Sequence, residues 1–153
     1  MTVSDFPSGH RIDARWLDPA LYHEHVTVRP RFQDLDPLNH INNVAMAAMF
    51  EDARVRFNHP MREHFQTDTV RTMVAGQTLN YVAESHMRPD LDFHLGIGRM
   101  GTSSWVVQAL AEQGGKPVLL AMASLVTTRD GRACPIPEPL RTLLAERRMK
   151  VPG

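Results

Sequence analysis

Apolar residues recur along this chain in two rhythms. Between His25 and Gln33, Val26, Val28, Pro30 and Phe32 alternate with Thr27, Arg29 and Arg31, the period of a half-buried strand. Pro30 has no N–H to give to a ladder, so it marks an edge or a bulge. After a polar turn the rhythm lengthens. Met46, Met49, Phe50, Ala53 and Phe57 fall at three- and four-residue steps, one apolar stripe on a helix that Pro60 stops. Strand patterns then follow one another. Arg71 to Val82 is rich in Val, Thr, Leu and Tyr, and Leu91, Phe93, Leu95 and Ile97 alternate up to Arg99. Trp105 to Ala111 runs through Gln113-Gly114-Gly115-Lys116 into Val118 to Thr128, a hairpin signal, and Asp130-Gly131 is a second turn. Pro135 to Pro139 reads as extended, and Leu140, Leu143 and Leu144 with Arg147 and Arg148 predict a short closing helix.

One strand, one long helix and a run of meandering strands predict an α+β domain, with an antiparallel sheet packed on a central helix. The pattern divides the chain into an N-terminal arm, 1–22, a single domain, 23–148, and a short tail, 149–153. Pro7, Gly9 and Pro19 make the arm irregular, yet Trp16, Leu17, Leu21 and Tyr22 are too apolar for free solution and are expected to pack on the body or on a neighbouring subunit. A chain of 153 residues with 42% hydrophobic content suits one such domain.

Charge and composition then remove several classes of function. Seventeen basic residues balance seventeen acidic ones, so no net field draws the protein to nucleic acid or to an anionic membrane. No segment is apolar for long enough to span a bilayer, the first residues carry no basic and apolar leader pattern, and the single cysteine, Cys134, suits a reducing compartment. Cytoplasmic localisation is the expectation. Eight histidines raise the question of a metal, but none sits in a His-x-x-x-His or Cys/His array, and His23-x-His25 is a weak chelate; no metal site is expected. Gly96-Ile97-Gly98-Arg99-Met100-Gly101 has the glycine spacing of a dinucleotide fingerprint. Thr102 to Val107 continues as strand where such a fingerprint opens a helix, so a hairpin is expected.

The chemistry concentrates in Arg31-Phe32-Gln33-Asp34-Leu35-Asp36-Pro37-Leu38-Asn39-His40-Ile41-Asn42-Asn43, a strand end and a turn dense in carboxylate and amide side chains, leading into the helix. A helix start offers unpaired backbone N–H groups and the positive end of its dipole, here beside an acidic side chain. That pairing can polarise a carbonyl and supply a base. The local alternative is structural: Asp36 forming an Asx turn or capping the helix.

The run Arg-x-x-Asp-x-Asp-x-x-Asn-His-Ile-Asn-Asn, followed by a helix carrying Glu51-x-Ala53-Arg54, resembles the 4-hydroxybenzoyl-CoA thioesterase-type acyl-CoA thioesterases, with weaker likeness through Arg132 to Pro137. The resemblance implies a hotdog fold, a curved antiparallel sheet wrapped around one long central helix, and hydrolysis of an acyl-CoA thioester to a free acid and coenzyme A. It also implies a site between two subunits of a homodimer or a dimer of dimers, and no cofactor beyond the coenzyme A of the substrate.

Thioester hydrolysis needs an attacking oxygen and donors for the oxyanion. By the resemblance the second acid, Asp36, is the general base or the nucleophile, and Asp34 is the lesser rival. The backbone N–H groups of Asn43 and Val44 are the candidate oxyanion donors. His40 orients the thioester or buttresses the turn, and Asn42 caps the helix. Met46, where the family often has an aromatic residue, is a candidate for the acyl pocket, and Arg99, Ser103 and Ser104 are candidates for the pantetheine or phosphate end. Arg129 and Arg132 are reserve phosphate partners. Glu51, Asp52 and Arg54 read as a solvated or inter-subunit ionic face. Asn39 stands where many relatives have Gly, so the turn is expected to hold it in a left-handed conformation. Two rivals remain: an acyl-thioester binder that does not cleave, and a hotdog dehydratase or hydratase that leaves the thioester intact.

Overall fold

A computed structural model describes residues 12–153. The elements follow in the order β1 (Glu24–Val28), α1 (Asn43–Asn58), β2 (Arg71–Tyr81), β3 (Leu91–Met100), β4 (Ser104–Gln113), β5 (Lys116–Arg129), β6 (Arg132–Ala133) and α2 (Glu138–Glu146). The strands form one antiparallel sheet in the order β1-β3-β4-β5-β2, with the short β6 added to β5. The β3–β4 and β4–β5 neighbours are sequential hairpins, whereas β1 and β2 are placed at opposite ends of that order. The chain segment containing α1 connects those two ends and covers one face of the sheet.

The face that α1 covers is the core. Met46, Met49, Phe50, Ala53 and Phe57 are all buried, together with Leu91, Phe93, Leu95 and Ile97 of β3 and the alternate residues Ala109, Ala111, Leu119 and Ala121 of β4 and β5. Burying one such large side chain contributes about 1.5–3 kcal/mol, so this stripe is what fixes α1 on the sheet. The small alanines in the middle of β4 and β5 leave room for the helix. A curved antiparallel sheet around one long helix is the hotdog arrangement that the sequence resemblance implied.

The opposite face is covered by the chain's own ends. Trp16 is fully buried against Leu110, Leu120 and Met149, with Leu17, Leu21 and Tyr22 packed around it. The arm therefore docks on the body, while Pro7 and Gly9 lie outside the described residues. The tail runs beside β3, where Ile97 N–H donates to Arg147 O at 2.8 Å and Met149 N–H donates to Ile97 O at 2.9 Å. A Cβ on Gly96 would stand 2.7 Å from Met149 Cβ, so the tail lies this close because that position has no side chain.

Two sequence expectations change. The alternation predicted a first strand as far as Gln33, but β1 ends at Val28 and Phe32–Asp34 forms a single 3-10 turn. Pro30 follows the strand, so it is neither its edge nor a bulge in it, and Phe32 points outward, 81% exposed. The hairpin expectation at the glycine triplet holds: β3 continues to Met100 and Gly101 N–H donates to Ser104 O at 2.7 Å. Asn39 has φ +62°, the left-handed conformation that the turn was expected to require. We expect Asn39→Gly to leave the unfolding free energy nearly unchanged and Asn39→Ala to lower it by about 1 kcal/mol, read from denaturant midpoints.

Candidate active site

The turn between β1 and α1 is built by two carboxylates with different tasks. Asp34 is buried, and its oxygens accept from Arg31 N–H at 2.7 Å and from the Arg31 guanidinium at 3.0 Å. The Arg31 hydrogen bond holds this carboxyl below its ordinary range despite the opposing effect of burial. Both Asp34 oxygens are thus spent on local structure, which weakens it as a rival base.

Asp36 is only half-buried. Its Oδ1 accepts from Leu38 N–H at 2.8 Å and His40 N–H at 3.1 Å, while its own N–H donates to His40 O at 2.8 Å. This is the Asx turn of the structural alternative. The turn uses one oxygen, however. Among the described residues nothing donates to Oδ2, so one carboxylate oxygen stays available while the other fixes its orientation.

Asn42 caps α1, as expected: it is extended (φ −72°, ψ 159°), and its side chain accepts from Ala45 N–H at 2.8 Å. The amides of Asn43 and Val44 precede the first intrahelical donor, Met46 N–H to Asn42 O at 2.9 Å, and have no acceptor among the described residues. Asp36, Asn43 and Val44 line one cleft of about 590 Å³. Asp36 and Asn43 also line a second cavity of about 290 Å³, whose walls include His40, Met46, Tyr81 and Glu84. The carboxylate and the helix start thus share two adjoining spaces. Apolar side chains stand unfilled along the same segment, with Phe32, Leu38 and Val44 81%, 73% and 81% exposed.

The other candidates divide. His40 is half-buried and lies 3.2 Å from a Glu84 carboxylate oxygen, and Met46 is a core residue that also reaches the second cavity. Arg99, Ser103 and Ser104 sit at the β3–β4 hairpin, and the two cavities that Asp36 lines include none of them. Arg129 and Arg132 are exposed at the β5–β6 turn. On α1, Glu51 and Asp52 are exposed, whereas Arg54 is 6% exposed, so of the two readings of this ionic face the solvated one fails at Arg54; its Nη2 lies 3.5 Å from a Glu51 oxygen, its Nε meets no acceptor among the described residues, and burial lowers its pKa. Sequence reading missed Tyr81, whose hydroxyl donates to Asn43 O at 3.5 Å, and Glu84. Both belong to the end of β2 and the loop beyond it, and no local pattern ties that loop to the Asp36 turn.

A hotdog domain with an acid beside an open helix start is the class that fold and site define. The chain belongs to the thioesterase-like superfamily, whose family model matches residues 30–144. Among solved structures it is similar to a thioesterase from Thermus thermophilus complexed with coenzyme A and Zn, at 26% identity over 82% of this chain and 95% of that one, TM-score 0.72. It is also similar to a thioesterase-superfamily protein from Jannaschia sp. CCS1, at 20% identity over 82% and 93%, TM-score 0.75. A third is a 1,4-dihydroxy-2-naphthoyl-CoA thioesterase from Synechocystis, at 12% identity over 80% and 95%, TM-score 0.71. No curated protein sequence matches the chain.

Proposed function

We propose that this protein hydrolyses an acyl-CoA thioester to a free acid and coenzyme A. The observation that carries this reading is the pairing of Asp36, with one carboxylate oxygen uncommitted, and the acceptor-less amides of Asn43 and Val44 along one cleft. The amides receive the thioester oxygen as it gains charge, and Asp36 either takes a proton from the attacking water or attacks the carbonyl itself. The reading is supported by membership of the thioesterase-like superfamily and by the coenzyme A held by the Thermus relative. His40 helps to hold the turn, since its backbone bonds Asp36 in both directions. Met46 borders the acyl space. Arg99, Ser103 and Ser104 meet the coenzyme end only if that end leaves the two cavities described, for instance across a subunit boundary.

A panel of acyl-CoA thioesters with a free-thiol readout tests the reading. Release of one thiol per substrate consumed supports it. Saturable binding without thiol release means a carrier or sensor, and an altered acyl chain on an intact thioester means a dehydratase or hydratase.

We also propose a homodimer through β2. The first residues of β2 are covered by the preceding segment, where Gln66 bridges Arg71 and Thr72 N–H donates to Phe65 O at 2.7 Å; beyond them the strand pairs, among the described residues, only with β5, which leaves the rest of its outer edge open, and Met73 and Val74 on it are 56% and 44% exposed. Beside them a cavity of about 280 Å³ is lined by Val55, Met73, Val74 and the buried Arg54, so a second copy would shield apolar surface and reach a cation now short of acceptors. Light scattering is expected to show twice the chain mass, falling to one chain mass in Met73→Glu.

A further inference from the structure

A cluster of imidazole and carboxylate groups beside the Asp36 turn has no task in the hydrolysis proposed above. His40 comes from the turn before α1, whereas Glu84 and His86 come from the loop between β2 and β3. Their donor atoms all lie within 4.8 Å of one another. His40 Nε2 is 3.2 Å from Glu84 Oε2, and the His40 and His86 rings meet edge to face with centroids 5.1 Å apart.

The backbone holds these groups together. Ile41 N–H donates to Ser85 O at 2.8 Å, and this single long-range bond joins the residue after His40 to the residue between Glu84 and His86. The loop is pinned a second time by the buried Gln113. Its side-chain oxygen accepts from His86 N–H at 2.8 Å, and its amide donates to His86 O and Pro89 O, each at 2.6 Å. The Glu84 and His86 side chains are exposed, so rotation about their own bonds moves the donor atoms without disturbing that frame.

We infer that His40, Glu84 and His86 form a three-ligand site for a divalent late transition ion, zinc being the reference case. Two imidazoles and one carboxylate suit zinc, whereas calcium and magnesium prefer oxygen-only shells and copper(I) prefers sulfur. Bonds of about 2.0–2.2 Å in a tetrahedral shell place ligand atoms roughly 3.4 Å apart. The His40–Glu84 separation of 3.2 Å already meets that spacing, and His86 closes the third side by rotation. An ion pair between His40 and Glu84 alone gives no task to the second imidazole, which the Gln113-held backbone of His86 brings edge to face with the first. Three protein ligands leave a position open to water or to a donor from bound substrate, and Glu84 lines the same cavity as Asp36. An ion held there would tie the β2–β3 loop to the Asp36 turn.

The test is zinc binding by the untagged full chain, measured by competition with a chromophoric chelator and by the visible absorption of the cobalt(II) form. One ion per chain is expected. His86→Ala and Glu84→Gln should each weaken binding at least tenfold, while His59→Ala, at an exposed histidine outside the cluster, should not. Zinc should raise the Tm of the parent protein and not that of His86→Ala, whose Tm in chelator equals the parent's. No stoichiometric uptake, or uptake and Tm response that His86→Ala and Glu84→Gln leave unchanged, would overturn the site.

Discussion

Asp36→Asn is expected to lower kcat by about 10²–10⁴-fold with no loss of folded protein. The substitution keeps an oxygen where Oδ1 now accepts from Leu38 and His40, so the turn retains both hydrogen bonds. What it removes is the charge and basicity of Oδ2, the oxygen that no described residue occupies. Asp36→Ala separates the two roles. It should lose a similar amount of activity and, in addition, about 1–2 kcal/mol of stability, because two turn amides then lack their acceptor. Steady-state rates and denaturant midpoints for the pair provide the check. An Asn variant at full rate would remove Asp36 from the chemistry and leave it as a turn residue alone.

Asn43→Pro is expected to cost about 10²–10³-fold in kcat while leaving stability unchanged or slightly raised. Proline at the first helical position removes only an N–H that the helix itself never uses, and its fixed φ suits that position. The residue before it must be extended, and Asn42 already is, with ψ 159°. The substitution therefore deletes one candidate oxyanion donor and leaves the Asn42 cap and the rest of α1 in place. Asn43→Ala is the control, since it trims the side chain and keeps the amide. If the proline variant matches the alanine variant in rate, the oxyanion is held by Val44 alone or elsewhere.

The sequence was most readable where one local rule governs a segment. The stripe Met46, Met49, Phe50, Ala53 and Phe57 is buried along its whole length, because a three- and four-residue period leaves a helix one apolar face. The Asn42 cap and the left-handed Asn39 were legible for the same reason: each follows from the bonding or backbone of a single residue. Legibility failed where distant segments meet. The alternation around Val28 ran on through Phe32 in sequence, yet Val28 pairs with Leu91, the first residue of β3, so the sheet offers no partner to Pro30 and Phe32, and the chain turns at Phe32–Asp34 instead. Arg54 looked like part of a charged surface because its neighbours Glu51 and Asp52 are exposed, while its own burial depends on how the helix sits on the sheet. The meeting of His40 with Glu84 and His86 rests on one bond between residues 41 and 85, which no window of sequence contains.

The docking of Trp16 and Met149 over Leu110 and Leu120 has a bearing on higher-order assembly. The middle of β4 and β5 on that side is already roofed by the protein's own arm and tail, which are stitched by Lys150 N–H to Leu21 O at 2.7 Å. Copies of this chain, in the proposed dimer or otherwise, cannot press those strand surfaces together directly. A tetramer of this chain must either meet through the roof itself or join at some other flank.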